Sequence, residues 1–142
     1  MSTGYSGTPL GKKLGMKVGM VVGTVNAPGD YLGLVEPLPD GVVVEEYSQA
    51  GRLRAGGPDI VHLFTNGRDE LFSQLAILRN VIKQDGAIWV SWYKKAAKLP
   101  TEITEDTVRE AAFPLGLVDV KVCAVDEKWS GLKLVIRKQN RI

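Results

Sequence analysis

The apolar positions of this chain follow two rhythms. Short continuous runs recur at residues 20–25 (MVVGTV), 42–44 (VVV), 60–64 (IVHLF) and 87–92 (AIWVSW), each preceded by Gly or Asp. Runs of that length without alternation predict strands buried on both faces, as in a parallel sheet. Between the last two runs the rhythm changes. Leu71, Leu75, Leu78 and Ile82 stand three or four apart, with Phe72 and Val81 widening the stripe. That spacing predicts an amphipathic helix over residues 68–83, with Asp69 and Glu70 in its first turn and Lys83 in its last, each complementing the helix dipole. Strand, helix, strand over residues 59–92 is the unit around which the rest is organised. Such a crossover is right-handed in nearly all folds and sets both strand ends on one rim.

The remaining segments add to this pair. Thr8 as cap and Pro9 at a first helical position predict a short helix ending at Gly15. A second short helix over residues 30–35 would bury Tyr31, Leu32, Leu34 and Val35, and Pro37 and Pro39 stop it. The strand at residues 42–46 turns abruptly charged at Glu45 and Glu46. Residues 47–58 hold three glycines, two arginines and no periodicity, which predicts the most mobile internal loop. Thr104 is placed as the N-cap of a further helix, with Ile103 and Val108 as a hydrophobic staple and Gly116 as its stop. Strands at 118–125 and 132–137, joined by residues 126–131, form an antiparallel hairpin with Trp129 in the turn. The division is an N-terminal arm and short helix (1–16), a single α/β domain (17–138) and a tail (139–142). The fold class is α/β: a mostly parallel, Rossmann-like open sheet in three αβα layers with a C-terminal antiparallel hairpin.

Composition narrows the functions. A net charge of +2 gives no basic surface for nucleic acid. Cys123 is the only cysteine and His62 the only histidine, so a disulfide framework and a cysteine-based zinc site are excluded, and no metal-ligand spacing is present. No run approaches the roughly 20 apolar residues of a membrane span. The expectation is a cytoplasmic protein that does not bind membranes, with a homo-oligomer left open.

The segments GYSGTPLGKKLG (4–15), DIVHLF (59–64), WVSWYKK (89–95) and VDVKVCAVDEKWSGLKLVIRK (118–138) resemble the signatures of a family of small, uncharacterised bacterial proteins known as a domain of unknown function. From Asp59 onward the order is also similar to the second half of class I, S-adenosylmethionine-dependent methyltransferases. That resemblance implies a shortened methyltransferase-like fold, with Glu45 or Glu46 where the enzymes place a ribose-binding acid. It also marks departures. The loop after the first strand carries Pro28 and a single glycine within the turn instead of a Gly-rich cradle, and the helix between the second and third strands is missing.

Ligands of open α/β sheets lie beyond the carboxyl ends of the strands. That rule collects Asn26, Glu45, Asn66, Arg68, Trp92, Lys94 and Lys95 as candidate ligand-binding residues, with Arg68 and the helix start suited to a small anion. The competing reading is that these are solvated turn residues. His62 sits mid-strand on the face of Ile60 and Phe64, which suits a buried structural histidine better than a catalytic one. Cys123 reads as an inert thiol within a strand. Trp129 in the turn is suited either to capping a ligand or a partner chain or simply to covering a sheet edge. The expected function is a non-catalytic binding or scaffold protein with no assigned cofactor. The alternative is a small enzyme or cofactor binder that takes S-adenosylmethionine, a nucleotide or a small anion at the rim.

Overall fold

Where an apolar run has neighbours on both sides it becomes a strand buried on both faces, and Ile60–Phe64 (β3) is the clearest case, every residue buried. The structure, a computed structural model, describes residues 9–142. Its other strands are Val21–Val25 (β1), Val43–Tyr47 (β2), Ala87–Tyr93 (β4), Leu117–Ala124 (β5) and Trp129–Ile136 (β6). They form one sheet in the order β2-β1-β3-β4-β6-β5. The pairs β2–β1, β1–β3 and β3–β4 are parallel, and β6 is inserted antiparallel between β4 and β5. The expected mostly parallel sheet and closing hairpin are therefore present.

The helix predicted over residues 68–83 runs as Arg68–Arg79 (α3), burying Leu71, Leu75 and Leu78. Val81 and Ile82 stay buried beyond its end, in the turn that leads to β4. Glu105–Ala112 (α4) begins at Thr104, whose side chain accepts from the Thr107 N–H while the Thr107 hydroxyl meets the Thr104 N–H. Ile103 and Val108 are both buried beside that cap. Gly116, at φ 78°, ends the following turn in a left-handed conformation that glycine adopts freely. Both helices pack on one face of the sheet.

The opposite face is covered by Leu10–Lys13 (α1) and Tyr31–Val35 (α2). Pro9 stands at the cap position of α1 instead of inside its first turn. The cap expected from Thr8 lies outside the described residues. Trp89 and Trp92, three apart on β4, go to opposite faces: Trp89 to the α1/α2 core and Trp92 to the α3/α4 core.

The connection at residues 47–58 has anchors that its sequence does not show, and one sequence expectation is corrected. Residues 47–58 are tied to α3 and its end: the Ala50 N–H donates to Gln74 Oε1 at 2.7 Å and the Gly56 N–H to the Val81 carbonyl at 2.7 Å. Ala50 and Leu53 are buried, so two isolated apolar residues anchor a segment that lacks periodicity. Trp129 begins β6 instead of standing in the turn, because the hairpin link is shorter than expected.

Candidate ligand-binding rim

The carboxyl ends of β1, β2, β3 and β4 share one rim, and the β5–β6 turn reaches the same side. Asn26 leaves β1 with φ 58°, a conformation that asparagine tolerates, and its N–H donates to the Tyr47 carbonyl at 2.9 Å. The one glycine inside β1, Gly23, lies directly under Leu53, whose side chain would collide with any β-carbon there. That glycine serves packing. Between the β1–α2 turn and the β5–β6 turn lies a cleft of about 350 Å³ lined by Pro28, Asp30, Leu34, Glu127, Lys128 and Trp129. The indole of Trp129 meets Phe64 edge-on at 4.9 Å and Tyr93 at 4.5 Å. Asp126 Oδ1 accepts from the N–H groups of Lys128 and Trp129, which fixes the turn.

None of the seven residues collected from the sequence lines this cleft. Asn66 Oδ1 accepts the Tyr93 N–H at 2.8 Å, and its carbonyl accepts the Glu102 N–H, so it stitches β3 to β4 and to the approach to α4. Arg68 does not offer its charge to an open pocket. Its guanidinium makes a two-pronged pair with Glu110 at 2.8 and 2.9 Å and lies over the Phe72 ring. This pairing raises the Arg68 pKa and lowers that of Glu110. The first N–H of α3 donates to Glu102 Oε1 at 2.7 Å. The anion expected at this helix start is thus supplied by the chain itself. Trp92 is buried in the α3/α4 core, and the Lys94 N–H donates to the Lys128 carbonyl. Lys95 is exposed in a 3₁₀ turn, and Glu45 is exposed on β2 with the Tyr47 hydroxyl 3.5 Å from it. Glu102 and Glu110 were invisible to sequence reasoning: they stand 34 and 42 residues from Arg68, and no local pattern links them.

His62 is fully buried between Tyr31 and Ser91. The Tyr31 hydroxyl lies 3.0 Å from Nδ1 and Ser91 Oγ lies 2.7 Å from Nε2. The Phe64 ring stacks on it at 4.2 Å. Burial pushes the imidazole down to about 3 and raises the Tyr31 phenol, with the charge of Glu46 adding to the latter. A neutral ring with one N–H meets one donor and one acceptor, so the trio is satisfied internally, as expected for a structural histidine. Cys123 is buried, and burial raises its thiol above the ordinary range. Among the described residues no group of three or more His, Cys, Asp or Glu could hold a metal ion, and no helix is long and apolar enough to cross a membrane.

This sheet order, with helices on both faces, defines a methyltransferase-like α/β protein. A SAM-dependent methyltransferase from Aquifex aeolicus superposes with a TM-score of 0.65 at 18% identity, over 88% of this chain and 86% of that one. A TehB-like SAM-dependent methyltransferase from Corynebacterium glutamicum gives 0.61 at 11%, over 94% and 90%. A protein from Bordetella parapertussis described as a possible exported protein gives 0.64 at 12%, over 88% of this chain but only 65% of that one. At such identities the likeness is one of fold. No curated protein matches the chain in sequence. Residues 57–138 match the family "Protein of unknown function (DUF3052)", and the chain belongs to it.

Proposed function

We propose that this is a non-catalytic binding or scaffold protein on a shortened methyltransferase-like fold, acting in the bacterial cytoplasm. Its ligand would sit in the cleft between the β1–α2 and β5–β6 turns. Asn26, Glu45, Lys94 and Lys95 form the margin of that rim, and Asn66, Arg68 and Trp92 its frame. One observation carries the reading: the sheet ends at β2. Glu45 and Glu46, at the place where the methyltransferase resemblance puts a ribose-binding acid, are exposed on this edge strand. The connection that follows folds back onto α3. An adenosine there would rest on an open edge, whereas small-ligand sites enclose most of their ligand.

Titration calorimetry with S-adenosylmethionine tests this. The expected result is no saturable heat up to millimolar cofactor. A micromolar Kd, or a crystal with the cofactor lying over residues 26–29, would overturn it in favour of the second reading, a small enzyme or cofactor binder using the rim. That alternative is favoured by the cleft's place at the strand carboxyl ends. The scaffold reading includes self-association along β5, where Val120 and Val122 are each 54% exposed. Sedimentation showing monomer alone at high concentration removes that part.

A further inference from the structure

On the α1/α2 face, away from the rim cleft, the fold gathers lysines without an acid among them. Lys121 of β5 and Lys133 of β6 are directly opposed in the antiparallel pair, so their β-carbons lie about 4.5–5.5 Å apart on one face. Like charges so placed destabilise a sheet. The Lys133 ammonium reaches toward the α1–β1 connection, where a β-carbon on Gly15 would stand 3.7 Å from Nζ. Lys121 Nζ donates to the Lys13 carbonyl at 3.2 Å, at the end of α1. Lys17 comes from the same connection. Lys17 lines the same groove as Gly15, the residue that Lys133 approaches, and the Lys133 pKa is lowered by partial burial and then by the charges of Lys121 and Lys17. Among the described residues no carboxylate forms an ion pair with Lys17, Lys121 or Lys133.

Beside these lysines runs an apolar groove of about 630 Å³ between the α1–β1 connection and residues 37–39. Met16, Val18 and Leu38 line it, Lys17 stands on its margin, and Gly15 belongs to both groove and lysine group. Val18, 74% exposed, continues the apolar wall of the groove out to its edge.

We propose that the lysine group and the groove are one binding site for a small anionic amphiphile. Its phosphate or carboxylate head would lie on Lys17, Lys121 and Lys133, and its apolar body along the groove. Repulsion among ammonium groups that no carboxylate neutralises is relieved by an oxyanion, and lysine binds phosphate as a point charge. The groove's volume falls within the range of small-molecule sites and its wall is apolar. The site is separate from the rim cleft, so it stands whether or not the rim binds a ligand.

The test uses the full chain and calorimetry with three probes at matched ionic strength: dodecyl phosphate below its micelle concentration, inorganic phosphate, and dodecyltrimethylammonium. Dodecyl phosphate is expected to bind saturably and at least roughly tenfold tighter than inorganic phosphate, with no binding of the cation. Lys133→Gln, Lys121→Gln and Val18→Asp should each weaken dodecyl phosphate about tenfold or more. Without ligand, Lys133→Gln should melt no lower than wild type, because it removes a repelled charge. Equal binding of anion and cation, inorganic phosphate binding as tightly as its dodecyl ester, or unchanged affinity in the lysine variants would overturn the proposal. If Lys133→Gln does not fold, Lys121→Gln on the exposed strand decides.

Discussion

The two faces of the sheet are held by different means. Toward α3 and α4 the contact is almost wholly aliphatic, with Leu71, Leu75 and Leu78 packed on Val61, Leu63, Ile88 and Val90. Toward α1 and α2 the sheet presents Thr24, His62, Trp89 and Ser91, and the covering helices have only four and five residues. Helices so short do not hold themselves in water. Here they are held by directed bonds: Trp89 Nε1 donates to the Leu14 carbonyl at 2.9 Å, and Tyr31 binds His62. A long helix can be fixed by apolar area alone, while a short one needs polar partners to decide which residue sits where.

The largest break in this comparison comes from the aliphatic side. Leu75→Ala, at a fully buried position, should cost about 2–5 kcal/mol in urea unfolding, from lost transfer energy and the cavity left behind. A cost below about 1 kcal/mol would mean that this face tolerates voids and is not the main source of stability.

Acid should act on the polar side first. His62 has a folded pKa of about 3 against an unfolded value of 6.5. Well above pH 6.5 both states are neutral and its contribution is complete. As pH falls the unfolded chain takes up a proton that the folded chain refuses, so stability declines by up to about 1.4 kcal/mol per pH unit. Asp59 adds its own loss only at lower pH. Burial opposes its ionisation, but the Val21 N–H and Lys83 outweigh this and hold its pKa below the ordinary aspartate value. From pH 6.5 to 5 the decline should therefore be about 1.6 kcal/mol and belong to His62, the sole histidine. His62→Gln should be less stable at pH 7 yet flat across that window. A variant that keeps the slope would assign it elsewhere.

How much of this was legible follows the same division. The spacing of Leu71, Leu75 and Leu78 and the Thr104 cap announce α3 and α4 because each signal is local. The α1/α2 face gave weaker signals, since helices of one turn carry too few positions for a period. Ala50 and Leu53 gave none: two buried residues among glycines and arginines make no pattern, yet they anchor that segment. At the rim, the strand ends were readable from the run boundaries. What the side chains do there was not, because the partners of Arg68 come from another helix and are fixed only by the tertiary fold. The opposition of Lys121 and Lys133 likewise depends on a register that shifts between Asp119 and Lys121. A bulge at that point has no distinctive sequence.

The smallest expected effect is also the sharpest test of the polar face. Thr24 lies next to His62 in the β1–β3 register, and its hydroxyl is buried without a hydrogen-bond partner among the described residues. The Ser91 hydroxyl, equally buried, is used by His62. A buried hydroxyl without a partner costs roughly 1–3 kcal/mol of lost hydration. Valine has nearly the shape of threonine and the same branching at the β-carbon, so the strand conformation is kept. Thr24→Val should therefore stabilise, by about 1 kcal/mol and a few degrees in Tm. Ser91→Ala should destabilise by about 1–2 kcal/mol, because it strands a nitrogen of His62. Opposite signs for two buried hydroxyls on one face would show that this face depends on completed bonds and not on polarity as such. If Thr24→Val loses as much as Ser91→Ala, the Thr24 hydroxyl has a partner, and the trio around His62 extends to β1.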